Sequence, residues 1–191
     1  INGIPDWVNE EEFGFNTAMT FNGDGSMICW IKYDEKDVRE YSLQMFKGEY
    51  PEHKEYATYP GLYSYKYPKA GEKNSTVAVY SYDIKSHQTR KLQVPLDADG
   101  YIPRIVYTFN RHQSDLRLYA VNPRSTVAKM LIQEKNAKYV QEEAMANIKI
   151  TDSHILLPSD RDGFMQLYLY SINGSLVKKI TTGKHDVTDV Y

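Results

Sequence analysis

Negative charge is concentrated near the start of the chain, in Asp6 and the run Glu10–Glu12, with Trp7 and Phe13 on either side. Two carboxylates that converge on a primary ammonium group form charged hydrogen bonds, which are stronger than neutral ones. Such a pair accepts a free amino terminus and rejects an acylated one, because the carboxylates would then be left desolvated and unpaired. A solvated charged face is the alternative, and on composition alone it is the more common explanation.

A short helix is predicted to carry these glutamates. The segment Trp7–Phe13 is long enough for one or two turns, and Asp6 can serve as its N-cap directly after Pro5. Successive side chains on a helix point about 100° apart, so at most two of the three glutamates can converge on one ligand. A second helix is predicted over Tyr139–Ala146.

No other motif for catalysis or cofactor binding is present in the sequence. The chain has no Gly-x-Ser-x-Gly elbow, no His-Glu-x-x-His and no glycine loop for a phosphate or dinucleotide. The five histidines are scattered along the chain: His53, His87, His112, His154 and His185. We therefore predict no catalytic residue, no metal site and no cofactor in this chain.

Composition excludes several classes of protein. The single cysteine, Cys29, rules out an intrachain disulfide, and its apolar neighbours predict a buried structural thiol. The net charge of -2 and the pI of about 6.2 argue against a nucleic-acid-binding surface. The chain begins without Met and ends in a strand-like pattern, so we expect it to be part of a longer protein.

Strand-like segments make up most of the chain and predict an all-β fold. The predicted strands are Ser26–Tyr33, Arg39–Phe46, Thr76–Ile84, Thr89–Val94, Ile102–Phe109, Asp115–Val121, Val127–Gln133, Ile148–Leu157, Gln166–Ile172 and Leu176–Thr181. Tight turns are predicted at Asn22–Gly25 and Asp160–Gly163, because Asn-Gly and Asp-Gly pairs accept the positive φ of hairpin turns.

A tyrosine-bearing strand recurs around Tyr80, Tyr119 and Tyr168, at spacings of 39 and 49 residues. Each is followed by a turn and by a second strand that carries a lysine. A period of about 40–50 residues with several strands per unit is typical of β-propeller blades. A β-sandwich is the competing interpretation, but the recurring two-strand unit favours about three to four blades of an open propeller segment.

The stretch Asp6–Phe13, Asp-Trp-Val-Asn-Glu-Glu-Glu-Phe, resembles the Asp-Trp-Val-Tyr-Glu-Glu-Glu signature of the dipeptidyl peptidase IV family, among the prolyl oligopeptidase-type serine peptidases. Further segments are similar to family elements in the same order: Tyr67–Gly71, Asn74–Val77, Tyr101–Ile105, Asn110–Gln113, Ser159–Tyr170, Thr182–Gly183 and Asp186–Tyr191. The resemblance spans essentially the whole chain.

This resemblance implies that residues 1–191 are part of one propeller domain, the middle blades of an eight-bladed propeller with four-stranded antiparallel blades. The catalytic α/β-hydrolase domain would lie outside this chain, so the chain alone is expected to have no peptidase activity. The parent would release amino-terminal dipeptides with Pro or Ala second, and Glu11 and Glu12 would bind the substrate's free amine. Glu10 is expected to be a surface residue of the helix.

The resemblance also implies a homodimeric parent protein that works outside the cytoplasm, with peptides as partners and no nucleic acid. The alternative function is a non-catalytic propeller that binds other proteins. The sequence departs from the family pattern in three places. Asn9 replaces the usual Tyr, the stretch between Tyr101 and Asn110 is about a strand shorter, and no Phe-Arg pair lines an outer substrate pocket near Tyr139.

Overall fold

The computed structural model describes residues 1–46, 58–104, 107–141 and 147–191. These residues form one short helix, α1 (Trp7–Phe13), and fourteen strands. The strands are β1 (Met19–Phe21), β2 (Met27–Asp34), β3 (Glu40–Met45), β4 (Gly61–Lys66), β5 (Thr76–Asp83), β6 (Gln88–Lys91), β7 (Tyr101–Arg104), β8 (Tyr107–Phe109), β9 (Asp115–Val121), β10 (Ala128–Lys135), β11 (Lys149–Ile150), β12 (His154–Ser159), β13 (Gln166–Ser171) and β14 (Leu176–Lys179). The described part of the chain contains no helix that is long and apolar enough to cross a membrane.

Three antiparallel sheets of four strands each confirm the all-β, partial-propeller prediction. Blade 1 has the strand order β1-β2-β5-β6, blade 2 is β7 to β10, and blade 3 is β11 to β14. Blades 2 and 3 are simple meanders, in which each strand pairs with the next one along the chain. The recurring residues Tyr80, Tyr119 and Tyr168 all lie on the third strand of their blade, so the sequence repeat corresponds to the structural repeat.

Strands β3 and β4 form a separate two-stranded hairpin, which is inserted between the second and third strands of blade 1. The two strands pair from Glu40 opposite Lys66 to Met45 opposite Gly61. Residues 47–57, which connect them, lie outside the described residues. This hairpin continues into the segment that faces helix α1, so it matters for the site described below.

The hydrophobic core lies between the blades rather than within any one of them. Successive side chains of a strand point to opposite faces of the sheet, and in β2 the residues Met27, Cys29, Ile31 and Tyr33 are all buried on the same face. One buried cluster joins blades 1 and 2, and a second joins blades 2 and 3 through residues such as Phe109 and Ile155. Cys29 is a free buried thiol whose pKa is raised by burial, as expected for a structural residue.

Polar side chains also connect neighbouring blades. The Asp83 carboxylate on β5 of blade 1 accepts a hydrogen bond from Arg124, which lies in the β9–β10 turn of blade 2, at 2.6 Å. The Ser81 hydroxyl donates to the carbonyl of Pro123 in the same turn, at 2.8 Å. Between blades 2 and 3, Glu134 on β10 pairs with Ser159 and Arg161. Each pair of adjacent blades is therefore joined by charge as well as by apolar packing.

The contact between Asp83 and Arg124 predicts that the folded state loses stability in acid. The backbone N–H of Ser86 donates to the carboxylate, and this bond, together with the positive charge of Arg124, holds the pKa of Asp83 below its ordinary value. A carboxyl group with a depressed pKa stabilises the folded state above its unfolded pKa of about 4, and loses that contribution as the pH falls through the folded pKa. Asp83→Asn should therefore lower Tm at pH 6, and the gap to the parent protein should shrink below about pH 4.

Thermal unfolding of both proteins from pH 6 to pH 2 checks this prediction. Asp99→Asn is the matched control, because Asp99 is exposed and has no ion-pair partner within the described ranges. A Tm difference for Asp83→Asn that stays constant from pH 6 to pH 2 would show that the carboxylate does not contribute in this way.

Several strand predictions needed correction. Strands β1 and β4 were not predicted, and the segment Ile148–Leu157 is two strands separated by a turn in which the N–H of Thr151 donates to the carbonyl of His154. Strand β1 has three residues, which is too short to show an alternating pattern. The predicted strand Ile102–Phe109 likewise overlaps two strands, β7 and β8, so blade 2 keeps four strands although residues 105 and 106 lie outside the described ones.

The helix predicted over Tyr139–Ala146 is wrong for residues 139–141, which are irregular. The N–H of Val140 donates to the carbonyl of Gln113 at 2.7 Å, so a neighbouring loop satisfies this backbone group instead of a helical turn. Residues 142–146 lie outside the described part of the chain. The tight turns predicted at Asn22–Gly25 and Asp160–Gly163 are confirmed, with positive φ at Gly25 and Gly163.

Candidate functional site

Helix α1 begins and ends where the sequence predicts. The Asp6 carboxylate caps the first turn by accepting hydrogen bonds from the backbone N–H and the side-chain amide of Asn9, both at 2.8 Å. At the other end Gly14 adopts the left-handed conformation, with φ of 63°, and its N–H donates to the carbonyl of Glu10. Glycine takes this conformation without steric cost, so it stops the helix directly after Phe13.

Contacts with the rest of the protein must hold α1 in place, because a helix of seven residues is too short to be stable alone. Asn9 is buried on the side that faces the blades. Phe13 packs edge-on against Tyr101 of blade 2, with ring centroids 5.6 Å apart. Trp7 packs against Tyr67, just after the hairpin, with centroids 4.5 Å apart. The helix is therefore anchored by an aromatic contact at each end.

The three glutamates lie on the outer surface of this anchored helix, and all three are exposed. At about 100° per residue, Glu11 points directly away from the face that carries Asn9 and Phe13, with Glu10 and Glu12 to either side. No hydrogen bond or ion pair joins their carboxylates to any other residue that the structure describes. The carboxylates are thus positioned by the protein but remain available to a cationic ligand.

Glu10 differs from the other two glutamates in its surroundings. It borders a shallow cleft beside the end of the helix, formed with Gly14, Phe15, Asn16 and Thr17. Glu12 lies on the opposite flank of Glu11 by helical geometry. The geometry therefore allows Glu11 to pair with either neighbour, and places Glu10 closest to the loop that leaves the helix.

A buried polar layer lies near the start of the helix. Tyr33 is fully buried, and this burial together with the negative charge of Asp6 raises the pKa of its phenol. The Tyr33 hydroxyl and the side-chain oxygen of Asn9 are buried without a hydrogen-bond partner among the described residues. Asn9, which departs from the family signature, thus faces the protein interior, and its substitution affects packing beneath the helix rather than the surface that carries the glutamates.

A group of aromatic side chains beside α1 was not predicted from the sequence. We call Trp7, Tyr41, Tyr65 and Tyr67 the aromatic cluster; they border an open cavity of about 700 Å³ together with Lys69. Within it, Tyr41 lies 5.6 Å from Tyr67, and the Lys69 ammonium lies 5.1 Å from the Tyr41 ring centroid. The signal was present in Tyr63, Tyr65 and Tyr67, whose spacing of two residues is that of a strand.

No further site for catalysis or a metal is evident in the described part of the chain. Within it, no three His, Cys, Asp or Glu side chains come together as a metal ion would require. The position near Tyr139, where the sequence lacks the family's Phe-Arg pair, runs into residues 142–146, which the structure does not describe. Helix α1 and the aromatic cluster are therefore the strongest candidate site.

A family model, curated relatives and a solved structure all match this chain to dipeptidyl peptidases. The family model described as the dipeptidyl peptidase IV (DPP IV) N-terminal region matches residues 1–191. The dipeptidyl peptidase 4 of Trichophyton equinum is 27% identical over 207 residues, covering 99% of this chain and 26% of the relative. The dipeptidyl peptidase 4 of Trichophyton rubrum is 26% identical over 208 residues, with coverage of 99% and 26%.

The crystal structure of Porphyromonas gingivalis dipeptidyl peptidase 4 is similar in fold and sequence. It superposes with a TM-score of 0.91 and is 38% identical, over 100% of this chain and 28% of that protein. The chain therefore spans about a quarter of the length of the relatives it matches.

Proposed function

This chain belongs to the dipeptidyl peptidase IV N-terminal region family, and we propose that its helix α1 binds the free amino terminus of peptide substrates. In this proposal the chain supplies the middle blades of an eight-bladed propeller in one domain with residues beyond it. A carboxy-terminal α/β-hydrolase domain outside this chain supplies the catalytic residues. The whole protein then releases amino-terminal dipeptides in which Pro or Ala is the second residue.

The observation that carries the proposal is the state of the three carboxylates. They are exposed and have no partner among the described residues, on a helix that is capped at both ends and anchored by two aromatic contacts. Solvated surface glutamates do not need such support. Glu11 and Glu12 are the proposed ligands for the ammonium group by resemblance to the family signature, and Glu10 lies on the other flank of Glu11, beside the Gly14–Thr17 loop.

The proposal also includes two protein partners and a compartment. The hydrolase domain is the first partner, since amine binding serves a catalytic nucleophile and the sequence contains no Gly-x-Ser-x-Gly elbow. A second copy of the protein is the other partner, and the hairpin supports it by exposing Leu43, Phe46, Leu62 and Tyr63. By family resemblance, we propose that the parent protein acts outside the cytoplasm.

A comparison of substrates tests the proposed function in the full-length protein. We expect a Gly-Pro chromogenic substrate with a free amine to be cleaved at least about 100-fold more efficiently than its N-acetyl analogue, because acetylation removes the charge and leaves the carboxylates unpaired. The measurement is kcat/KM for the two substrates under the same conditions. Equal cleavage of both would refute amine recognition by this protein.

A further inference from the structure

We propose that Trp7 is a positioning residue for Glu11, and that the aromatic cluster holds Trp7 in place from the base of the hairpin. This inference rests on the proposed function of the glutamates and assigns a role to residues outside the ligand-binding pair. It makes the hairpin part of the support for amine recognition.

Trp7 and Glu11 lie four residues apart on helix α1. Residues four apart on a helix lie on the same face, one turn above the other. Trp7 therefore lies directly beneath Glu11, on the side that points away from the buried Asn9. Any tilt of the helix at Trp7 moves the Glu11 carboxylate with it.

Trp7 is held in place by aromatic rings of the hairpin and of the segment that follows it. Its ring lies 4.5 Å from Tyr67 and 6.1 Å from Tyr65, centroid to centroid. Tyr65 in turn lies 6.4 Å from Tyr41 in an edge-on arrangement. The two contacts of Trp7 are tilted, at interplanar angles of 50° and 55°, and all three centroid separations fall in the range of about 4.5–7 Å at which aromatic rings attract each other. The cluster thus forms a continuous packed surface from strand β3 to the helix.

Tyr41, Tyr65 and Tyr67 lie near the base of the hairpin, where hydrogen bonds join its two arms. The N–H of Tyr67 donates to the carbonyl of Arg39 at 2.9 Å, and the Lys66 ammonium donates to the carbonyl of Val38 at 2.9 Å. Arg39 also forms an ion pair with Glu72 at 3.4 Å. These bonds join the two arms of the hairpin at its base. The rings that support Trp7 are therefore attached to backbone that hydrogen bonds hold in place.

The second aromatic anchor of the helix is Phe13, at its carboxy-terminal end. With Trp7 removed, the Phe13–Tyr101 contact is the one aromatic contact of α1 that remains among the described residues, and it lies at the end opposite to the hairpin. The helix can then pivot about Phe13, and the carboxylate of Glu11 no longer lies in a fixed position. Misplacement by about 1 Å can cost on the order of 100-fold in efficiency when a site depends on orientation.

Trp7→Ala in the full-length protein tests this proposal. We expect the KM for the free-amine Gly-Pro substrate to rise about tenfold, with kcat within about threefold of the parent value. The preference for this substrate over the N-acetyl analogue should fall by a similar factor. Trp7→Phe, which keeps a ring against Tyr67, should restore most of the KM and the preference.

Trp30→Ala is the matched control. Trp30 is the other tryptophan of this chain, stacks on Tyr80 with centroids 5.8 Å apart, and donates to Asn2. Among the described residues it makes no ring contact with the aromatic cluster. Its replacement removes an indole of equal size and should leave KM unchanged. If Trp7→Ala does not fold, Tyr67→Leu removes the supporting ring without altering the helix and should raise KM in the same way.

The positioning role is overturned if a folded Trp7→Ala or Tyr67→Leu variant keeps the parent KM, or if Trp30→Ala raises KM equally. The Glu11→Gln variant is measured in the same assay, so that a failure of amine binding by Glu11 can be distinguished from a failure of positioning by Trp7. A Glu11→Gln variant with the parent KM and kcat refutes the part of the proposed function that Glu11 carries. A raised KM in Glu11→Gln, together with an unchanged KM in Trp7→Ala, refutes only the role of Trp7.

Discussion

Glu11→Gln or Glu12→Gln in the full-length protein is expected to reduce kcat/KM for a Gly-Pro substrate roughly 30-fold to several-thousand-fold. This reduction corresponds to a loss of about 2–5 kcal/mol of transition-state stabilisation. Glutamine keeps the size and one hydrogen-bonding oxygen of the side chain but removes the negative charge. Each substitution therefore leaves the substrate's ammonium group desolvated against one carboxylate instead of two. Steady-state kinetics of the two variants with the chromogenic substrate measure the effect.

Glu10→Gln is the control for this prediction, because it removes a neighbouring charge from the same helix. Glu10 borders the cleft beside Gly14 and is not a proposed ligand, so its replacement should change kcat/KM by less than about threefold. If both the Glu11 and Glu12 variants had the parent kinetics, or if Glu10→Gln were as damaging as either, the assignment of the amine-binding pair would be wrong.

Arg161→Ala is expected to lower the free energy of unfolding by about 3 kcal/mol, the largest stability effect that we predict. Its guanidinium pairs with Glu134, whose side chain is only 9% exposed, across the boundary between blades 2 and 3. It also lies 4.3 Å from the Tyr168 ring centroid. Without Arg161 the Glu134 carboxylate stays buried with the Ser159 hydroxyl, at 2.7 Å, as its remaining partner.

Urea unfolding of the parent and the variant measures this difference. Lys179→Ala provides the control, because Lys179 pairs with Asp162 on the same blade at 2.8 Å, with 54% of the Asp162 side chain exposed. An exposed pair of this kind contributes about 0–1 kcal/mol. A loss for Arg161→Ala no greater than that for Lys179→Ala would show that the link between the blades does not stabilise the fold.

Helix α1 could be predicted from the sequence because its determinants are local. The N-cap Asp6, the proline before it and the terminating Gly14 all lie within a few residues of the helix. The blade repeat was also accessible, since Tyr80, Tyr119 and Tyr168 recur on the same strand of each blade. By contrast, strand β1 is too short for its pattern to stand out.

The support of the helix could not be predicted, because it depends on residues far apart in the chain. Trp7 and Tyr67 are separated by the whole hairpin, and Glu134 and Arg161 belong to different blades. Nothing in local composition indicates that such pairs meet. Charge alone likewise favoured a solvated face for the glutamates, and their place on an anchored helix is what supports a binding role.

The central claim is that Glu11 and Glu12 bind the substrate's ammonium group. The most direct test is the affinity of the full-length protein for an amine-bearing dipeptide-like inhibitor and for the same inhibitor without its amine. We predict that the parent protein binds the amine-bearing inhibitor at least about 100-fold more tightly, equivalent to about 2.7 kcal/mol, and that the Glu11→Gln/Glu12→Gln double variant loses most of this preference. A double variant that kept the preference of the parent protein would contradict the claim.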